Sequence, residues 1–339
     1  MNSIGFINRG NSCYFNAALQ LIGLIDGLQD YIRSGKWDED WNDIVFKHSK
    51  NPQKLEICKI IKWWSLLQVR MHTNQEQKTI VDPSILRVWM ATREAIWIQS
   101  HQQDSQEALG LFIDLFCEWM GMPIEMDLEI QNDTNEMKAW NSWNHHYGKS
   151  YSIWTELLFG QIHETVYCTN CNHQTNQFDP FLFLFLNVDS ITSWKQPFQD
   201  YFREKDGHPD YRCDQCGKQK CSRQKTECWR LPYYLLTVWK SFTGNCVEPQ
   251  IVLPKKDELL EINNCSYRLF GFINHIGNLK GGHYCMIRMP SPEWGPDMIQ
   301  YDDVNIRVIT ENDITGRVYI GLWKQINETI QESDFWKSS

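Results

Sequence analysis

The sequence has no apolar run that approaches the ~18 residues needed to span a bilayer. Its longest, Phe181-Leu182-Phe183-Leu184-Phe185-Leu186, has the length of a strand. Basic residues are not in excess: 33 Lys and Arg stand against 42 Asp and Glu, a formal net charge of −9. That balance argues against nucleic acid as a partner, because such binding rests on cations neutralising phosphates. It favours a neutral or basic partner. No signal peptide opens the chain, since Asn2, Asn8, Arg9 and Asn11 interrupt the apolar residues there. There is no internal repeat and no low-complexity tract. The expectation is an intracellular protein without a membrane partner, resident in the cytoplasm and/or the nucleus. Its 12 cysteines are then expected as reduced thiols, metal ligands or a nucleophile, not as a disulfide framework.

What is present is close to average globular composition, with 42% hydrophobic and 22% charged residues. Sixteen tryptophans predict an aromatic core. Asn11 or Ser12 can cap a helix from about Cys13 to Ile25, with Ala18, Leu21, Ile22 and Ile25 on one face. Further helical patterns run from Leu55 to about Met71 and onward from Gln102. Residues 121–150 are polar and irregular and read as a loop or insertion. Strand texture follows in Ile162–Cys168, Gln177–Val188, Tyr233–Trp239, Tyr267–Asn274, Tyr284–Met289 and Val318–Trp323. Helices first and strands later predict an α+β fold.

Cys13 follows a Gly/Asn/Ser turn at the predicted start of a helix. A helix N-terminus offers free N–H groups and partial positive charge, which stabilise a thiolate and help hold an oxyanion. The Asn8 amide, five residues upstream, can loop back as a second oxyanion donor. A buried small side chain at Cys13 and a turn residue at Asn8 are the plainer reading. Far downstream, Gly281-Gly282 precede His283 at the entry to a strand, and paired glycines let a substrate backbone approach closely. Tyr301-Asp302-Asp303 then offers a carboxylate to the Nδ1 of His283, to fix its tautomer and stabilise imidazolium. Cys, His and Asp far apart in sequence but in this order favour a papain-like thiol protease.

Cys168-Thr169-Asn170-Cys171 and Cys213-Asp214-Gln215-Cys216 are two C-x-x-C pairs. Four thiolates satisfy tetrahedral zinc and leave no open position, which makes the predicted site structural. His173, His208 and Cys221 are nearby competitors as ligands.

Taken together these segments resemble the ubiquitin-specific protease family. The resemblance is carried by Gly5–Gln20, by Gln102–Glu107, by Tyr151–Gly160 leading to Cys168, by Leu231-Pro232 leading to Trp239-Lys240-Ser241-Phe242, by Gly281–Tyr284 with Tyr301–Asp303, and by Val318–Trp323. It implies a right-hand architecture over residues 1–327. A helical thumb would span about 1–150, zinc-bearing fingers about 151–230 and a palm about 231–327, with a tail at 328–339. It implies a deubiquitinase that hydrolyses the isopeptide or peptide bond after the C-terminal glycine of ubiquitin on modified proteins or chains. Cys13 would be the nucleophile, His283 base then acid, Asp302 its orienter with Asp303 sharing that role, and Asn8 the oxyanion donor. Gln103, Asp104, Gly281, Gly282 and Tyr284 would contact the ubiquitin tail. Structural zinc is the implied cofactor, ubiquitin and ubiquitinated proteins the implied partners, and a monomer the expected state. Arg9, Ser12, Phe15, Ala108 and Ser241 depart from the family pattern without removing a catalytic group. The short lead before Cys13 predicts a nearly minimal catalytic unit.

Overall fold

Every residue of the helix Cys13–Ile22 is buried. A helix apolar nearly all round must be enclosed on all sides, and this one lies between the remaining helices and a large sheet. It starts after a turn in which Gly10 and Asn11 both take positive φ, 77° and 54°. The computed structural model describes residues 4–72, 78–124, 134–188, 192–240, 251–255, 258–278 and 281–326. The expected tail at 328–339 and the departure at Ser241 lie outside the described residues.

The first expected helix ends at Ile22, short of Ile25, and the chain turns into a separate helix, Asp26–Arg33. The second becomes Pro52–His72, with proline at its first position, where a missing N–H costs nothing. The third is Ser105–Met120, capped by Asp104, whose carboxylate accepts from the Gln106 N–H at 2.6 Å. The polar stretch expected as a loop contains the helix Asn135–Tyr147, started by Thr134 accepting from the Met137 N–H at 3.3 Å. Only Ala139 and Trp143, four apart, are fully buried in that helix. So narrow an apolar face leaves little periodic signal.

The helical half closes around an aromatic cluster. The Phe116 ring lies 4.5 Å from Trp64, 4.8 Å from Trp154 and 4.9 Å from Trp89. The other half is an eight-stranded sheet with most pairs antiparallel. From one edge its strands are Asn305–Ile309, Met298–Asp302, Gly281–Arg288, Cys265–Asn278, Arg317–Gln325, Tyr234–Lys240 and Phe183–Asn187, and Leu260–Ile262 pairs with the start of Cys265–Asn278. Phe183–Asn187 joins in parallel. A separate four-stranded sheet, Gln174–Phe181, Gly160–Cys168, Ser222–Arg230 and Lys205–Asp206, projects the cysteine turns. Among the described residues no helix is long and apolar enough to cross a membrane.

Truncating the centre of the aromatic cluster tests the core. Phe116→Ala should lower unfolding free energy by ~3–5 kcal/mol, seen as a lower urea midpoint with an unchanged slope.

Candidate active site

Cys13 occupies the first position of its helix and is 3% exposed. Ser12 sits at the cap position, but its side chain does not cap. Its Oγ instead accepts from the Arg9 N–H at 3.0 Å and donates to Asn8 Oδ1 at 3.2 Å. First-turn N–H groups are therefore left without a side-chain cap, as an oxyanion site needs.

His283 comes from the strand Gly281–Arg288 and Asp302 from the end of the neighbouring strand Met298–Asp302. Asp302 Oδ1 lies 2.5 Å from His283 Nε2. The Cys13 thiol is within hydrogen-bonding reach of the same ring. With Nε2 committed to the carboxylate, Nδ1 is the nitrogen left for the sulfur. This corrects the expectation that the carboxylate would meet Nδ1; the strand pairing brings Asp302 to the far side of the ring. The Asp302 hydrogen bond, then the Cys13 sulfur, push His283 up to about 10. The same bond holds the Asp302 carboxyl below its usual range.

The hydrogen bonds of Asp303 run to two amides. Asp303 has φ 52°, and its carboxylate lies within 4.8 Å of the His283 ring and of the Asp302 carboxylate. There it accepts from Asn8 Nδ2 at 2.9 Å and from Asn16 Nδ2 at 2.7 Å. Asn8 is itself held at both ends, because its Oδ1 accepts from the Ser12 N–H at 2.9 Å. Asp303 therefore anchors Asn8 and Asn16 beside the histidine.

The residues expected at the substrate tail are spread around the cleft. Asp104, besides capping its helix, accepts from the Tyr319 hydroxyl at 2.7 Å. Tyr284 is buried, its ring 4.6 Å from His275 and 6.2 Å from Tyr319. Gln103 is half-buried beside Asp104. Gly281 and Gly282 are crowded by the chain itself. A Cβ on Gly281 would meet Gln102 Oε1 at 2.9 Å, and one on Gly282 would meet the Ile276 carbonyl at 2.7 Å and the His275 ring. Gln102 grips the Gly282 backbone, a contact that sequence reasoning missed because a lone glutamine carries no spacing signal. Of the family departures, Arg9 pairs with Asp82 at 2.9 Å, and Phe15 fills the core edge-on to Phe112. Ala108 is fully buried.

The sulfurs of Cys168, Cys171, Cys213 and Cys216 lie within 4.8 Å of one another. Cys168–Cys216 is 3.8 Å and Cys171–Cys213 is 3.6 Å. A tetrahedral ion with bonds of about 2.3 Å requires sulfur separations of about 3.8 Å. Each pair sits on the same turn: Asn172 N–H donates to the Cys168 carbonyl and Gly217 N–H to the Cys213 carbonyl, with φ 57° at Asn172 and 68° at Gly217. Backbone N–H groups of Asn170 and Cys171 point at the Cys168 sulfur, and those of Cys216 and Gln215 at the Cys213 sulfur, as thiolate ligands require. Cys221 lies 3.3 Å from Cys168 but outside the four-membered cluster. His208 Nδ1 accepts from its own turn, at the Asp210 N–H, so it is not a ligand.

Thiol, imidazole and carboxylate, assembled from a helix start and two neighbouring strands, define the papain-like cysteine protease class. The family profile described as ubiquitin carboxyl-terminal hydrolase matches residues 4–323, and the chain belongs to that family. It is 27% identical over 303 residues to ubiquitin carboxyl-terminal hydrolase Usp2 of Drosophila melanogaster, covering 83% of this chain and 30% of that protein. It is 24% identical over 337 residues to the probable ubiquitin carboxyl-terminal hydrolase 4 of Schizosaccharomyces pombe, covering 90% of this chain and 55% of the relative. The chain thus spans well under two thirds of these relatives. The fold is also that of the SAGA Ubp8/Sgf11/Sus1/Sgf73 DUB module bound to ubiquitin aldehyde. That match has TM-score 0.68 and 17% identity, over 96% of this chain and 70% of the other.

Because His283 is raised, its ion pair with Asp302 contributes fully below about pH 6.5 and is lost as pH rises through about 10. An NMR titration should place the His283 midpoint near pH 10, and Asp302→Asn should bring it down toward about 6.5.

Proposed function

We propose that this chain is a thiol-dependent deubiquitinase that hydrolyses the bond after the C-terminal glycine of ubiquitin. The meeting of Cys13, His283 and Asp302 in one cleft, within a chain matched almost end to end by the family, carries the reading. The Cys13 thiolate attacks the glycine carbonyl. Asn8 and the uncapped N–H groups at the helix start receive the oxyanion. The His283 imidazolium gives its proton to the departing lysine amine as the C–N bond breaks, leaving a thioester. Water, deprotonated by His283, then releases the carboxylate and restores the thiolate. Ubiquitin and ubiquitinated proteins are the partners. A cleft of about 840 Å³ between the helix Ser105–Met120 and the strand Phe183–Asn187 supports a basic tail, since Glu94, Glu107 and Asp114 line it beside Phe183 and Phe185.

The proposal extends to structural zinc on Cys168, Cys171, Cys213 and Cys216. The spacing of the sulfurs and the N–H groups aimed at them support that ion, which would join the two turns and take no part in the chemistry. A monomer in the cytoplasm or nucleus completes the reading. Among the described residues the cysteines form no disulfide.

A ubiquitin C-terminal fluorogenic amide tests the reaction. Wild type should cleave it and Cys13→Ala should not. Asn8→Ala should lose ~10²–10³ in turnover with little change in ubiquitin affinity; wild-type turnover would remove Asn8 from the mechanism. Metal analysis of freshly purified, reduced protein should find one zinc per chain. Chelation or Cys213→Ser should remove it and lower the unfolding midpoint, because metal binding energy becomes folding energy.

A further inference from the structure

We infer that Gln102 is a positioning residue for His283, its side-chain amide standing in for a second neighbouring strand where the histidine strand is paired on one side only. The inference rests on the function proposed above. Gln102 Nε2 donates to the Gly282 carbonyl at 2.7 Å, and the Gly282 N–H donates to Gln102 Oε1 at 3.0 Å. That is the two-way exchange by which a residue in a sheet is held from one side. The strand Met298–Asp302 would supply it, but its pairing with the histidine strand starts only at Met286. Upstream of that point Gly281, Gly282 and His283 pair on one side with Asn278, Gly277 and Ile276, but the side toward Met298–Asp302 has no strand partner.

Two successive glycines are the least restrained backbone a chain can have, and they lie directly before the general base. Rotation about Gly282 would swing the imidazole away from Cys13. A single hydrogen bond would leave that rotation open, whereas the paired bonds fix the peptide on both sides of the Gly282 Cα. Gln102 is well placed to do this, because its own turn is anchored to the other elements of the site. Asp104 holds the Tyr319 hydroxyl from the strand Arg317–Gln325, and Ser105 Oγ donates to the Tyr14 carbonyl, next to Cys13, at 2.8 Å. Residues 102–105 therefore tie the nucleophile helix, the sheet and the histidine entry to one short turn. One N–H and the oxygen of the amide are engaged by Gly282.

The test compares wild type with Gln102→Ala and Gln102→Glu; the carboxylate keeps an acceptor for the Gly282 N–H but loses the donor. A misplacement near 1 Å costs about 10²-fold. Gln102→Ala should accordingly lower kcat on the fluorogenic ubiquitin amide by roughly ten- to a hundredfold, with KM and thermal midpoint little changed, and Gln102→Glu should fall between. The His283 midpoint in an NMR titration should drop in Gln102→Ala, and iodoacetamide should capture Cys13 more slowly at neutral pH. Wild-type kcat with an unmoved His283 midpoint would overturn the inference, and so would a loss confined to KM, which would make Gln102 a substrate contact. If wild type leaves the ubiquitin amide intact, the deubiquitinase reading fails, while the NMR and iodoacetamide arms still decide the role of Gln102.

Discussion

Two amides buried on the nucleophile helix set the geometry of everything around it. Asn16 and Gln20 are each 2% exposed, and a buried amide without partners is costly. Gln20 Nε2 donates to the Ile4 carbonyl at 2.7 Å, and Asn16 Nδ2 donates to Asp303 at 2.7 Å. Both lie on the helical face that begins with Cys13. The helix can therefore neither rotate nor slide without breaking them, and the sulfur is fixed against the carboxylate turn of the sheet. The register of Cys13 against the sheet thus depends on hydrogen bonds made by other residues of its helix.

The turn at Asp302-Asp303 divides two adjacent carboxylates between two tasks. Asp302 hydrogen-bonds His283, while Asp303, close to the same ring, hydrogen-bonds Asn8 and Asn16. The amino-terminal strand Ile4–Phe6 braces this turn from outside, with the Phe6 N–H donating to the Asp303 carbonyl at 2.9 Å. Gly5 is required there, since a Cβ would stand 2.8 Å from the Val304 backbone. One short turn consequently holds His283, Asn8 and the helix that carries Cys13. The raised pKa of His283 and the lowered pKa of Asp302 are two sides of one short hydrogen bond.

The cysteine turns obey a different economy. They project from their own four-stranded sheet, where Cys168, Cys213 and Cys221 form a small cluster apart from the two main cores. With so little apolar area to bury, that tip has few contacts other than sulfur to hold its turns together, which is the setting in which small structures use a metal.

Much of this was legible along the chain because it is local chemistry. The Gly10-Asn11 turn before Cys13, the two C-x-x-C turns and the paired glycines before His283 each declare a backbone conformation or a ligand type by residue identity. The apolar periodicity of Ser105–Met120 and the strand texture of Tyr234–Lys240 declare burial. What the sequence could not declare depended on which side chains meet across distance. The helix Asn135–Tyr147 buries too few residues to show a period. Whether Asp302 reaches Nδ1 or Nε2 follows from how two strands pair, and the hydrogen bonds of Asp303 to Asn8 and Asn16 follow from how the first helix docks on the sheet. The grip of Gln102 on Gly282 joins residues 180 positions apart, and only packing could bring them together. Residue type fixed the reagents; tertiary structure alone decided their facing, because hydrogen-bond direction is a property of assembled backbones and not of composition.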